Sequence, residues 1–184
     1  MSWPTVIVLA SGRGERFAAS GGVGDKLQAL LAGKTVLQHT LDAVSASALP
    51  WHLEMSGQPG MGDSIAAAVA ATESAAGWLI LPADLPLIQS DTLRAVAMAL
   101  QHYTVVLPLF KGRRGHPVGF SSSCRQALLD LRGAQGGAAL VRSHAAFELS
   151  VEDKGCVTDI DTVADLNRAE RMLKATVLVT LQRP

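Results

Sequence analysis

The stretch that decides the fold is residues 5–17, TVIVLASGRGERF, in which a β-branched apolar run opens directly into a glycine-rich turn. Residues 78–81 and 104–108 repeat the apolar run, and alanine-rich or leucine-rich stretches with helical spacing lie between the runs. Strands this apolar are usually covered on both faces. The sequence therefore predicts a single-domain, Rossmann-like α/β fold, doubly wound, with a mostly parallel sheet and helices on both faces.

Helical periodicity predicts five helices, at residues 36–45, 64–75, 91–101, 123–131 and 163–173. Ser90 is the expected cap of the third helix. Thr162, followed three residues later by Asp165, forms a capping-box pattern for the fifth. The glycine-rich and acidic segments fall at the ends of the predicted strands, which is where ligands bind in folds of this class.

Composition narrows the function classes. With 184 residues, 48% of them hydrophobic, we expect one domain at residues 1–174, followed by a tail at residues 175–184 with a strand-like pattern over 177–181. Sixteen Lys and Arg balance sixteen Asp and Glu, so neither nucleic acid nor a membrane is an expected partner. The two cysteines lack CxxC spacing, and neither a signal-peptide pattern nor an apolar run of roughly 20 residues is present. We expect a soluble, cytoplasmic protein.

The turn after the first strand has the chemistry of a phosphate-binding loop. Gly12 and Gly14 let backbone N–H groups approach anionic oxygens closely, while Arg16 and Lys26 supply positive charge. Phe17 stands where a dinucleotide-binding fingerprint needs a glycine, so that motif is excluded. The alternative is an ordinary mobile turn with exposed basic residues.

A second glycine-rich stretch, residues 58–64 with the sequence QPGMGDS, precedes a predicted helix. Its backbone and the Ser64 hydroxyl could hold a flat base and read its edge. The alternative is a loop followed by an N-cap at Asp63 or Ser64.

Carboxylates suited to a metal follow two apolar segments. Asp84 lies at the end of a predicted strand between Pro82 and Pro86, and alternation places Asp159 and Asp161 on one side of another extended segment. Magnesium prefers one or two carboxylates plus phosphate oxygens, and we favour Asp161 as the partner of Asp84. The alternative is that these residues cap the turns and helices that follow them.

Residues 111–120, KGRRGHPVGF, form the densest basic cluster and could receive the phosphate of a second substrate. The alternative is a solvated hairpin tip. His116 and Asp84 do not indicate a nucleophilic triad, because no GxSxG elbow or activated cysteine accompanies them.

Taken in order, these segments resemble the MobA-like NTP transferases, most closely the molybdenum cofactor cytidylyltransferase branch, over roughly residues 6–173. The resemblance rests on residues 9–17 (LASGRGERF), 24–26 (GDK), 60–64 (GMGDS), 82–86 (PADLP), 112–117 (GRRGHP) and 159–162 (DIDT).

The resemblance implies a site for each of these segments. The implied nucleotide-binding residues are Leu9, Ala10, Gly12, Gly14, Arg16, Lys26, Gly62 and Ser64, of which the last two help hold the base. Arg16, Lys26 and Asp84 are the implied catalytic residues, Asp84 and Asp161 the implied Mg²⁺ ligands, and Arg114, Gly115 and His116 the implied acceptor-binding residues.

The resemblance also implies a reaction. A terminal phosphate oxygen of a molybdopterin-type cofactor attacks the α-phosphorus of an NTP, with CTP favoured over GTP, and pyrophosphate leaves. A molybdoenzyme is a further expected partner. Two alternatives stay open: a sugar-phosphate or polyol-phosphate acceptor, and a non-catalytic nucleotide-binding accessory protein for molybdoenzyme maturation.

Three departures from the family pattern bear on the acceptor and the sheet. The loop between Phe17 and Asp25 carries extra small residues, and only residues 51–55 read as a strand before Gly60, so we expect the sheet to lack one strand. Residues 133–137, GAQGG, also lack the carboxylate of an expected glycine-aspartate-x-glycine turn.

Overall fold

The computed structural model describes residues 2–12 and 14–181, with side chains up to Ala175. Its strands are β1 (Thr5–Leu9), β2 (Leu30–Leu31), β3 (Lys34–Thr35), β4 (Trp51–Glu54), β5 (Gly77–Pro82), β6 (Val105–Phe110), β7 (Arg113–Arg114), β8 (Val118–Ser121) and β9 (Phe147–Ser150). Its helices are α1 (Glu15–Ala19), α2 (Val36–Ala46), α3 (Met61–Ala71), α4 (Ser90–Ala99), α5 (Arg125–Leu129), α6 (Ala138–Ser143) and α7 (Val163–Leu181). Short 3₁₀ turns lie at Lys26–Gln28, Ser122–Cys124 and Lys154–Val157.

The main sheet has the order β4-β1-β5-β8-β6-β7, with β9 paired to β6. β1 runs parallel to β4 and β5, and β9 runs parallel to β6. β8 is antiparallel to both β5 and β6, so β6 runs in the same direction as β5, and β7 is antiparallel to β6. β4, β1, β5, β6 and β9 thus share one direction against β7 and β8, which confirms the predicted mostly parallel α/β sheet.

Helices cover both faces because the buried strands send alternate side chains to opposite sides. Val6 and Val8 of β1 belong to a core that includes residues of α2 and α4. Ile7 and Leu9 belong to a second core that includes residues of α3 and α5. Each fully buried side chain of this kind contributes about 1.5–3 kcal/mol. The two cores fix β1 and β5 side by side, and so fix the place where their carboxyl ends meet.

The predicted cap of α4 was wrong. Ser90 is the first residue of the helix, and Gln89 occupies the cap position without a side-chain bond of its own. Instead Asp153, only 3% exposed and 64 residues away, accepts hydrogen bonds from the Gln89 N–H at 3.0 Å and the Thr92 hydroxyl at 2.7 Å. A buried carboxylate needs such donors, and it satisfies the helix end that Ser90 was expected to cap.

The start of α7 was predicted correctly, but the segment beyond it was not. Thr162 N–H donates to Asp165 Oδ2 at 2.9 Å and Asp165 N–H donates to Thr162 Oγ1 at 3.2 Å, which completes the capping box. Residues 177–181, predicted as strand-like, continue the helix, since their apolar pattern fits either structure. The division at residue 174 stays a prediction, and residues 182–184 of the tail lie outside the described residues.

Two expectations about the strands had different outcomes. Among the described residues, β4 is the only strand between α2 and α3, as the shortened interval predicts. Asp159 and Asp161, however, lie in an irregular segment after the Lys154–Val157 turn rather than on an extended strand. Over the part of the chain that the structure describes, no helix is both long and apolar enough to cross a membrane.

Candidate active site

A cavity of about 570 Å³ lies where the carboxyl ends of β1 and β5 meet. One wall comes from the turn between β1 and α1 together with Lys26, and another from residues 113–116. Asp84, Asp159 and Asp161 line the cavity as well. Residues from the segments singled out in the sequence therefore meet in one place, namely residues 12, 14–17, 84, 113–116, 159 and 161.

Lys26 lines this cavity and lies between the two predicted metal ligands. Its Nζ is 2.6 Å from Asp84 Oδ2 and 3.3 Å from Asp161 Oδ1. Arg16 Nη1 is 2.6 Å from the other oxygen of Asp161. The side chains of Lys26, Asp84 and Asp161 are 11%, 17% and 18% exposed, whereas that of Arg16 is 76% exposed. The structure thus joins four predicted residues, three of them in a shielded ion-pair network.

Backbone hydrogen bonds beyond the strand ends position the two aspartates. Ala83 N–H donates to the Leu9 carbonyl at 2.9 Å, which extends the β1–β5 pairing up to Asp84. Ile160 N–H then donates to the Asp84 carbonyl at 2.9 Å and places Asp161 beside Asp84. Carboxylates 77 positions apart in sequence therefore meet because their backbones are joined.

The ionisation of the network follows from its charges. Burial alone would lower the pKa of Lys26, but attraction to Asp84 and Asp161 outweighs it, so the pKa is raised and the amine stays charged. Burial, and then the neighbouring charges of Asp161 and Asp84, raise the pKa of Asp159. Three carboxylates thus lie close together, and Lys26 and Arg16 neutralise part of their charge.

A divalent metal fits part of this arrangement. Asp84 Oδ1 is buried without a hydrogen-bond partner among the described residues, so one carboxylate oxygen keeps its lone pairs available. Within residues 2–12 and 14–175, no group of three or more His, Cys, Asp and Glu is placed to hold a metal. Mg²⁺ suits a site with two carboxylates when phosphate oxygens and water complete its ligands.

The glycines that were predicted to bind phosphate line the larger cavity. Gly12 and Gly14 both border it, and Gly14 has a φ of 64°, which favours glycine. Leu9 ends β1, and Ala10 N–H donates to the Glu54 carbonyl at 2.9 Å, which ties the start of the loop to β4.

A smaller cavity of about 250 Å³ adjoins the larger one and shares Lys26 and Asp84 with it. Its apolar lining comes from Leu9, Leu27, Pro59, Met61 and Pro82. Ser11 and Gln58 supply its uncharged polar side chains. An apolar slot with a few polar groups beside a charged cavity suits a flat base next to its phosphates.

The residues predicted to hold the base lie behind this smaller cavity rather than on its surface. Ser64 is 1% exposed, and its hydroxyl contacts Ser11 Oγ at 3.0 Å and the Gly60 carbonyl at 3.2 Å. Gly62 N–H donates to the Gly133 carbonyl at 2.8 Å. Ser11 and Gln58 were not among the predicted site residues, although the quoted loops contain both. Their polar types inside glycine-rich loops were the available signal.

The Asp63 side chain joins the start of α3 to residues 133–137 rather than capping the helix. Gly60 is the cap residue, and Gly133 N–H donates to Asp63 Oδ2 at 2.8 Å. A Cβ at Gly60 would lie 2.2 Å from the Gly133 carbonyl group, so the two segments touch through their backbones.

The lining of the larger cavity also includes the predicted acceptor residues Arg114, Gly115 and His116. Arg114 is held by Glu148 of β9, with Nη2 2.6 Å from Oε1. Arg113, which was not among the predicted residues, lines the same wall.

His116 is a neutral group in this wall. Its backbone N–H donates to the Cys156 carbonyl at 2.9 Å. Burial lowers the pKa of its imidazole, although the charge of Asp84 opposes this. Its Nδ1 is buried without a partner among the described residues.

The chain was compared with known protein families and known proteins. Residues 44–147 match the model of the MobA-like NTP transferase domain. The match begins after Lys26 and ends before Asp161, so those two positions rest on the geometry. The Bacillus subtilis purine catabolism protein PucB is 33% identical over 128 residues, which are 66% of this chain and 62% of PucB. The chain thus spans less than two thirds of that relative's length.

Solved structures share the fold. The manganese complex of Rv0371c from Mycobacterium tuberculosis superposes with a TM-score of 0.74 at 23% identity, over 92% of this chain and 98% of the other. Molybdopterin-guanine dinucleotide biosynthesis protein A from Archaeoglobus fulgidus gives a TM-score of 0.68 at 18% identity, over 93% and 99% of the two chains. Since the family model covers more than half of the chain, the protein belongs to the MobA-like NTP transferase domain family.

Proposed function

We propose that the chain is a magnesium-dependent nucleotidyltransferase that transfers CMP, or alternatively GMP, from an NTP to the terminal phosphate of a molybdopterin-type cofactor and releases pyrophosphate. The observation that carries this proposal is the placement of Lys26 between Asp84 and Asp161, beside Arg16 and the glycine turn. Carboxylates for a metal and cations for phosphates occur here within one cavity, as phosphoryl chemistry requires.

Each residue then has a role that its environment supports. Asp84 and Asp161 would hold Mg²⁺, which would neutralise and orient the triphosphate. Lys26 and Arg16 turn from the carboxylates to the phosphate oxygens and stabilise the charge that builds up on the leaving pyrophosphate. The acceptor phosphate oxygen forms the new bond to the α-phosphorus as the bond to pyrophosphate breaks, so no protein nucleophile is needed.

The acceptor would bind at residues 113–116 of the larger cavity. Arg113 and Arg114 supply positive charge there, and the neutral His116 can accept or donate one hydrogen bond to a polar group. The manganese in the Rv0371c complex and the name of the Archaeoglobus protein support a divalent metal and a molybdopterin-type acceptor. A cytoplasmic location and a partner molybdoenzyme belong to the same proposal.

A sugar-phosphate or polyol-phosphate acceptor is a second candidate. The Arg114–Glu148 pair occupies one of the two cations that a cofactor phosphate would need. Residues 133–137 also carry no carboxylate for a pterin ring. The same nucleotidyl transfer to a smaller phosphate ester is compatible with both observations.

The test is pyrophosphate release from CTP, GTP, ATP and UTP with Mg²⁺, with molybdopterin-type acceptor, with sugar and polyol phosphates, and without acceptor. We expect release only with one preferred NTP and the molybdopterin-type acceptor, and we expect Asp84→Ala to abolish it. Release with a sugar or polyol phosphate alone would select the second candidate. Nucleotide binding without any release would favour a non-catalytic accessory protein instead.

A further inference from the structure

A chain of three polar side chains runs from the buried end of β4 to the smaller cavity. Glu54 is the last residue of β4, and it is 5% exposed. Ser56 donates both its backbone N–H, at 2.8 Å, and its hydroxyl to Glu54 Oε1. Gln58 Nε2 lies 3.1 Å from Ser56 Oγ. Gln58 in turn lines the smaller cavity.

The ionisation of Glu54 gives this chain a fixed direction. Burial alone would raise the pKa of Glu54, but the hydrogen bonds from Ser56 and the contact with His52 outweigh it and lower the pKa. An ionised carboxylate can only accept hydrogen bonds. Ser56 must therefore give its single hydroxyl proton to Glu54, and its oxygen can only accept from Gln58.

The direction of these hydrogen bonds fixes which atom of the Gln58 amide faces Ser56. One N–H of the amide donates to Ser56, which holds the Nε2 side towards the serine and leaves the carbonyl Oε1 as the acceptor available to a ligand. Among the hydrogen bonds of the described residues, none ends on Gln58 Oε1. The smaller cavity therefore has a side-chain acceptor whose orientation is imposed by the hydrogen bonds between Glu54, Ser56 and Gln58.

We infer that Gln58 Oε1 accepts a hydrogen bond from the exocyclic amino group of the nucleotide base, and that Glu54 and Ser56 position it, so that the site prefers cytosine to uracil. This inference rests on the proposed nucleotide site and deepens it. CTP and UTP carry the same triphosphate and ribose, and they differ where cytosine has an amino donor and uracil a carbonyl acceptor. Against a fixed acceptor, the uracil carbonyl leaves two acceptors facing each other.

The experiment measures the Kd values of CTP and UTP by calorimetry with Mg²⁺, and the readout is their ratio. We expect the wild-type chain to bind CTP about tenfold more tightly than UTP, since one well-made hydrogen bond to a base contributes about that factor. Gln58→Met removes the acceptor, and Ser56→Ala lets the amide turn over, so both variants should bring the ratio close to one. Ser56→Thr keeps the hydroxyl and should keep the ratio.

A matched control is Ser123→Ala, because Ser123 is also an exposed serine whose hydroxyl contacts a side chain two residues away, at 2.7 Å. It should leave both Kd values unchanged. A wild-type ratio near one, or a ratio that Gln58→Met leaves intact, would overturn the inference while the nucleotide site stands. If none of the four common NTPs binds, the proposed function falls together with it.

Discussion

The two adjoining cavities are built from contacts of different sequence range. The larger one is held by ion pairs between residues far apart in sequence, with Lys26 reaching Asp84 and Asp161 across 58 and 135 positions. Beside the smaller one, the series of hydrogen-bonded side chains from Glu54 to Gln58 spans five consecutive residues that begin at the end of β4. The first arrangement suits a triphosphate, which every NTP shares, and the second suits the base, which differs between NTPs. Affinity and selectivity should therefore be separable by mutation.

The largest effect is expected for Asp84→Asn. The amide keeps the shape of the side chain but removes the charge that would hold a cation, so turnover should fall by about a thousandfold or more. The ratio of the CTP and UTP Kd values should not change, because the base-reading chain is untouched. Asp42→Asn is the control, since Asp42 pairs with Lys34 on the surface at 2.6 Å. A variant that loses base selectivity along with turnover would show that the cavities are coupled.

Lys26→Met should reveal the competition between the amine and a metal. The Lys26 amine lies between the two carboxylates. Its removal leaves the Asp84 and Asp161 carboxylates without a positive partner, so the affinity for Mn²⁺ should rise about tenfold or more. Turnover should be abolished in the same variant. Electron paramagnetic resonance of free Mn²⁺ gives the affinity. Unchanged Mn²⁺ binding would contradict the assignment of this position as the cation site.

Arg16→Ala should act more weakly than either change. The Arg16 side chain is 76% exposed, so solvent already screens its charge. We expect the KM for the NTP to rise, and kcat to fall, by about threefold to tenfold each. Arg94→Ala removes another partly exposed arginine, paired with Asp91, and should change neither parameter. An Arg16 variant with wild-type kinetics would remove this residue from the phosphate site.

A feature of the fold or of the candidate site could be predicted from the sequence where neighbouring residues determine it. The strand of residues 5–9, the glycine turn after it and Asp84 at a strand end follow from local pattern. That these segments lie beside Asp161 could be predicted only from the family resemblance, together with a fold in which strand ends converge. The cap of α4 could not be predicted, because the buried carboxylate of Asp153 arrives from 64 residues away.

The smaller cavity was harder to predict for a related reason. Gly62 and Ser64 are suitable residue types beside the site, yet the Gly62 N–H is used by Gly133, a contact that no local pattern indicates. Gln58 lies two residues before residues 60–64, the segment that carries the resemblance to a base-binding loop, and its role depends on the charge of Glu54.

The smallest effect concerns the pH dependence of base selectivity. Because the pKa of Glu54 is lowered from its ordinary value of 4.5, the carboxylate stays ionised throughout the range from pH 8 to pH 5. The stability that Glu54 contributes is complete above its unfolded pKa and is lost as the pH falls through the lower folded pKa. The ratio of the CTP and UTP Kd values should therefore change by less than about twofold over this range.

In Glu54→Gln, the neutral amide can donate as well as accept, so the hydrogen bonds of Ser56 and Gln58 lose their fixed direction and the ratio should be low at every pH. A wild-type ratio that titrates with a midpoint above pH 5 would mean that some group other than Glu54 sets the orientation of Gln58.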